Sequence, residues 1–155
     1  MFNIVLYNPQ IPQNTGNIAR SCALTGSILH LIKPLGFSID DKHLKRAGLD
    51  YWDKMTILVY ESFEHFIESC KPDNLHLYTT KAEQYYTQAS YRQDDYLMFG
   101  SETSGVPQNI HEYCAANRYT IPMREGHQLR SLNLSNSVSI VLYEALRQNN
   151  FYGLK

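Results

Sequence analysis

The chain has 155 residues, 43% of them hydrophobic and 19% charged, with a formal net charge of -1. That is enough for a single domain over residues 1–155 burying about two-thirds of its unfolded surface, and it excludes both a disordered chain and a broadly basic nucleic-acid coat. Any polyanion must therefore be met by a local patch. Cys22, Cys70 and Cys114 are odd in number and widely spaced, which argues against a disulfide framework or a zinc site and for free thiols in a reducing compartment. Residues 1–7 lack the basic region of a signal peptide, and no stretch approaches about 18 uninterrupted apolar residues. A soluble cytoplasmic protein with no membrane and no metal partner is expected.

Residues 2–7, FNIVLY, read as a short buried strand ended by Asn8 and Pro9. In the loop that follows, Thr15 is placed to cap a helix running to about Leu24, with Ile18, Cys22 and Leu24 on its buried side, and Gly26 is placed to stop it in the left-handed conformation. Residues 28–32 (ILHLI) form a second strand, after which Lys42, His43, Lys45 and Arg46 make the most basic local stretch. Residues 55–60 (MTILVY) give a third strand, and Ser62 caps a helix with Phe63, Phe66 and Ile67 on one face. A fourth strand covers residues 74–78. Residues 96–99, YLMF, are apolar throughout, as a strand covered on both faces requires. A short helix near residues 107–114 and a last strand at 119–122 follow. From Leu134 the apolar positions Leu134, Val138, Val141, Leu142, Ala145 and Leu146 recur at helical spacing, while Asn136, Ser139, Tyr143 and Arg147 occupy the other face. Alternating strands and helices without repeats or linkers imply an α/β fold with a mainly parallel sheet flanked by helices.

In such sheets ligands sit beyond the carboxyl ends of the strands. Four polar loops leave those ends, at residues 8–15, 79–81, 100–105 and 123–136, and one shared pocket is the economical inference. The chain has no GxGxxG after the first strand, no GK[ST] after residues 100–105 and no GxSxG, which weakens dehydrogenase, P-loop and α/β-hydrolase readings. The loop GSETSG at residues 100–105 can offer its amides to a ligand or serve as an ordinary strand-to-helix turn, and Glu102 can accept from a substrate or hold the loop's own amides. Arg20 can grip a phosphate or polarise a hydroxyl, with a surface ion pair as the commoner alternative. Asn14 can act on a substrate or cap a turn. The six histidines show no ligand spacing, and only His127 stands in a candidate loop. The 12 tyrosines suit base stacking, although core positions account for most.

Three ordered stretches, NPQIPQNTGNIAR, YLMFGSETSGVP and IPM followed by RSLNLSNSVSIVLYEALRQ, together resemble the SPOUT class of trefoil-knot RNA methyltransferases over nearly the whole chain. Within it they resemble the subfamily that methylates the ribose 2′-hydroxyl of the tRNA wobble nucleotide, cytidine or uridine. The resemblance implies a C-terminal trefoil knot, against the general rarity of knots. It implies S-adenosylmethionine held by Tyr78, Thr79, Gly100, Ile121, Met123, Ser131 and Leu132. It also implies Arg20 at the reacting hydroxyl, with Asn14, Glu102, Ser131 and Asn133 around it, and a homodimer whose sites draw on both subunits. Arginine stays protonated, so Arg20 suits stabilisation of a developing alkoxide better than proton abstraction. Lys42, Lys45, Arg46, Arg130 and Tyr143 are candidate tRNA contacts. One departure from the family pattern is the longer, charged loop REGHQL at residues 124–129, which bears on the lip of the pocket. Two other readings stand beside the first: ribose methylation at another tRNA or rRNA nucleotide, and a non-catalytic RNA-binding dimer on the same scaffold. A phosphate-binding domain built on residues 100–105 lacks the lysine it would need.

Overall fold

The structure is a computed structural model and describes residues 1–40, 42, 46, 54–126 and 131–155. Six strands, β1 (Asn3–Tyr7), β2 (Ile28–Ile32), β3 (Ile57–Tyr60), β4 (Leu75–Tyr78), β5 (Tyr96–Phe99) and β6 (Arg118–Tyr119), pair in the order β3-β2-β1-β5-β4-β6. Every pairing is parallel, as alternation with helices requires. The helices are α1 (Pro12–Thr25), α2 (Phe63–Cys70), α3 (Gln108–Tyr113) and α4 (Leu134–Gln148), with a 3-10 turn at Tyr86–Gln88. Among the described residues no helix is long and apolar enough to cross a membrane.

Alternate residues of each strand feed opposite layers. Ile4, Leu6, Leu29, Leu31, Leu97 and Phe99 face α1 and α4, meeting Ile18, Cys22, Val138, Val141 and Leu142. Val5, Ile32, Met98, Leu75 and Leu77 face the other way, onto Phe63, Phe66 and Ile110 of α2 and α3. The sheet is thus covered on both sides, which explains the unbroken apolar run of β5. The α4 stripe packs as its spacing predicts: Val138, Val141, Leu142 and Ala145 are all fully buried. α1 lies against α4 closely enough for Ser21 Oγ and Ser139 Oγ to stand 3.5 Å apart.

The local signals hold in most places. Gly26, at φ 68°, ends α1 and donates its N–H to the Cys22 carbonyl, and Ser62 Oγ caps α2 by accepting from the His65 N–H at 3.1 Å. Three expectations need correction. α1 begins at Pro12 with Ile11 as its N-cap, because proline's fixed φ and missing N–H suit a first helical position; Thr15 is an interior, buried residue instead. Leu24 is not on the buried side but 56% exposed. The last strand is the two residues Arg118–Tyr119 rather than 119–122, since after one more bridge at Thr120 the chain turns away into Pro122. The cysteines are free thiols, with Cys22 and Cys114 buried.

Two polar clusters inside these layers are well paired. His30, 2% exposed, shares hydrogen bonds with Tyr60 Oη at 2.9 Å and Asn3 Oδ1 at 3.0 Å. Burial pushes its pKa down from the ordinary 6.5 to about 4, because the interior penalises the imidazolium. In that window the unfolded chain takes up a proton that the folded chain refuses. This contribution to stability is therefore complete above pH 6.5 and falls with acidification, by about 3 kcal/mol at pH 4. Urea unfolding followed from pH 7 to pH 4 should show this loss, and His30→Gln should flatten that limb; equal slopes in the two proteins would assign the acid sensitivity to other groups. Asp95, also buried, receives His76 Nε2 and the Arg92 N–H at 2.9 Å each and Asn74 Nδ2 at 3.0 Å. Burial pushes its carboxyl up, but these three partners outweigh it and hold the group below its ordinary value, which pins the turn that feeds β5.

Candidate active site

From β1 the sheet winds one way to β2 and β3 and the other way to β5, β4 and β6. The loops leaving β1 and β5 part at this switch point and open a crevice beyond the strand ends. A cleft of about 660 Å³ lies there, bordered by residues from all four loops that the sequence marks as polar. Tyr78, Thr79, Gly100, Ile121, Met123, Ser131 and Leu132 all line it, as do Asn14, Glu102 and Asn133.

The loop after β5 keeps its shape through its two bracketing glycines. Ser101 and Gly105 exchange backbone N–H and carbonyl hydrogen bonds at 3.0 Å in both directions. A Cβ on Gly100 would lie 2.6 Å from the Gly105 carbonyl carbon, so the crossing is open only to glycine, and Gly105 itself has a positive φ of 64°. The loop presents Glu102 to the loop after β1. Its carboxylate accepts the Gln10 N–H at 2.8 Å and the Ile11 N–H at 3.1 Å, and Asn14 Nδ2 approaches at 3.4 Å. Of the two roles open to Glu102 in the sequence, holding backbone amides is therefore the one the geometry assigns, and the amides belong to the neighbouring loop.

Asn14 extends this connection. Its Oδ1 accepts from Asn133 Nδ2 at 2.9 Å, while Asn133 Oδ1 accepts from the Ser135 N–H at 2.9 Å, the Ser135 hydroxyl and the Asn136 N–H at 3.4 Å. Asn133 is thus the N-cap of α4. Glu102, Asn14 and Asn133 form one polar chain that ties the switch-point loops to the entrance of the C-terminal helix. Apolar surface completes the cleft: Phe99, stacked on Tyr78 at 4.8 Å, with Ile121, Leu132 and Leu134. The Tyr78 hydroxyl is spent on Tyr91 Oη at 3.0 Å, and burial pushes its pKa well up, so what Tyr78 can offer the cleft is its ring and backbone rather than its phenol.

Other candidates fall outside the cleft. Arg20 is exposed on α1 and does not line it. Lys42 and Arg46 are exposed, Tyr143 is 49% exposed on α4, and Arg147 pairs with Glu144 at 2.8 Å. Lys45, Arg130 and His127 lie outside the described residues, as do residues 127–129 of the REGHQL loop. Among the lining residues that the sequence does not mark as ligand contacts are Lys81 and His111, the two with basic side chains. His111 has no sequence partner at ligand spacing, so nothing in the pattern marks it.

Residues 1–143 match the SpoU rRNA Methylase family, and the chain belongs to that family. The tRNA (cytidine(34)-2′-O)-methyltransferase of Saccharophagus degradans is 48% identical over 156 residues, covering 100% of this chain and 100% of that protein. The enzyme of the same description from Escherichia coli is 48% identical over 154 residues, covering 99% and 97%. A solved structure reported as structural insights into the 2-OH methylation of C/U34 on tRNA superposes with a TM-score of 0.87 at 41% identity, covering 97% of each chain.

Proposed function

We propose that the protein transfers a methyl group from S-adenosylmethionine to the ribose 2′-hydroxyl of the wobble nucleotide of tRNA, cytidine or uridine 34. The observation that carries this reading is the convergence of ten residues from four separate loops on one cleft. Full-length similarity to enzymes described as acting on cytidine 34 supports the same substrate.

The cleft suits the donor's chemistry. Apolar walls of Phe99, Ile121, Leu132 and Leu134, with polar main chain at the ends of β4, β5 and β6, match a purine carrying a flexible aliphatic arm. When bound, S-adenosylmethionine supplies a sulfonium methyl that is already a strong electrophile, so the protein chiefly has to align the ribose oxygen and stabilise its charge. Tyr78, Thr79, Gly100, Ile121, Met123, Ser131 and Leu132 would hold the donor. Glu102, Asn14 and Asn133 keep the reacting edge of the cleft rigid. Arg20 stabilises the developing alkoxide.

Arg20 reaches a ribose in this reading through a second copy of the chain. It stands four residues before Leu24 and so shares its face of α1. Leu24, 56% exposed, together with Ile140 at 37% and Tyr143 at 49% on the adjoining α4, leaves apolar surface on the two packed helices that a homodimer would cover. The trefoil knot belongs to the same proposal: the chain leaves β6 at the sheet edge, borders the cleft at Ile121, Met123 and Ser131, and returns to pack α4 against α1. Lys42, Lys45, Arg46 and Arg130 remain candidate phosphate contacts.

The test is methylation of tRNA from cells lacking this protein with labelled S-adenosylmethionine, followed by nucleoside mapping. Label is expected in 2′-O-methylated wobble cytidine or uridine. Label at another nucleotide would reassign the target, and no label at all would favour the non-catalytic RNA-binding dimer.

A further inference from the structure

One end of the cleft carries positive charge and unpartnered hydrogen-bonding atoms that the donor-holding residues do not use. His111, on α3, lines the cleft yet is 4% exposed, and its Nδ1 is buried without a hydrogen-bond partner. Arg118, next to the cleft rather than in its lining, stands on β6 beside Leu77 of β4, and its Nε is likewise buried and unpartnered. Lys81 lines the cleft from the loop after β4. Neither Lys81 nor Arg118 makes an ion pair with a carboxylate among the described residues. The two cations are close enough to act on His111: burial pushes its pKa down, and the charges of Lys81 and Arg118 push it further the same way.

Buried polar atoms in folded proteins are normally satisfied; Arg118 Nε is always a donor, and His111 Nδ1 is one in the tautomer that carries its proton there, so the two orphans on neighbouring elements, with the charges of Lys81 and Arg118, call for a missing acceptor. Repulsion within the group makes the same demand, since an anion would relieve it. Glu102, the acidic lining residue of the cleft, cannot supply it, being held by the loop amides after β1.

We propose that Lys81, His111 and Arg118 form an oxyanion-binding subsite at the β4, β6 and α3 end of the cleft. Its ligand is a carboxylate or phosphate group. The subsite is read from these side chains alone, whereas its two sources, the carboxylate of the methyl donor and a phosphodiester of the RNA, rest on the function proposed above. Lys81 supplies a mobile charge at the mouth, and Arg118 and His111 supply the buried donors.

Titration of the intact protein with inorganic phosphate, followed by NMR of the histidine ring nitrogens, tests the subsite without donor or RNA. Phosphate should shift the His111 signals saturably, and Lys81→Gln, at an exposed position that folding does not need, should weaken that binding roughly tenfold. Arg118→Gln should do at least as much. A flat His111 response, or one unchanged in both variants, overturns the proposal. Where phosphate binds, two arms separate the sources. If Lys81→Gln weakens S-adenosylhomocysteine but not methylthioadenosine, which lacks the carboxylate, the donor fills the subsite. If instead it lowers tRNA affinity and flattens its salt dependence, a phosphate does. An unmodified protein that binds phosphate but not S-adenosylhomocysteine would defeat the function proposed above and leave the subsite standing.

Discussion

Arg20→Ala in both chains of the proposed homodimer is expected to slow methyl transfer by roughly two to three orders of magnitude, the usual cost of removing one donor from a developing oxyanion, while S-adenosylhomocysteine and tRNA still bind. The geometry makes the prediction stricter than a simple loss. Arg20 is exposed on α1 and stands apart from the cleft of its own chain, whereas Asn14, earlier on the same helix, is buried at the cleft's edge. A site assembled across the dimer would pair Arg20 of one chain with Glu102 and Asn133 of the other. Arg20→Ala chains mixed with a cleft-defective variant such as Asn133→Ala should then regain activity, because each mixed dimer has one site with both parts intact. Random pairing gives roughly a quarter of the parent rate. If mixed dimers stay as inactive as either variant alone, Arg20 acts within its own chain and the proposed composite site is wrong.

The same contrast shows which physical signals a sequence carries. Strands β1 and β5 stand out because buried parallel strands are apolar on both faces, and α4 because its stripe repeats with helical period. Gly26 and Ser62 announce themselves because each solves a local backbone problem. Even the shared cleft was legible, since strand ends with polar loops converge in any open parallel sheet. Thr15 misled because a threonine cap and a proline start compete for the same turn, and the proline won. Leu24 looked buried because helical periodicity cannot tell an apolar residue turned to the core from one left exposed on the flank of the same helix. His111 and Arg118 were invisible as a pair for another reason: their relation depends on β6 lying beside β4 and on α3 lining the cleft, and neither placement leaves a spacing in the chain. The role of Glu102 could be narrowed only by geometry, because accepting from a substrate and accepting from Gln10 and Ile11 require the same side chain.

Glu102→Gln should therefore be far more damaging than its size suggests. The carboxylate offers acceptors on both oxygens and meets three donors, the N–H groups of Gln10 and Ile11 and Asn14 Nδ2. Glutamine keeps one acceptor and turns the other position into an NH₂ group that faces donors whichever way the amide is flipped. At least one backbone N–H then loses its partner and also the charge assistance, a cost of about 2 to 3 kcal/mol. Urea unfolding should show a lower midpoint with an unchanged slope. The damage should pass to the cleft: Asn14, no longer held from one side, should let go of Asn133, and with it the cap of α4. Donor affinity and turnover are both expected to fall in protein that remains folded. Amide exchange should rise at Ser135 and Asn136 as well as at Gln10 and Ile11. If exchange rises only at Gln10 and Ile11, Glu102 serves its neighbouring loop alone, and the chain from switch point to C-terminal helix does not transmit strain.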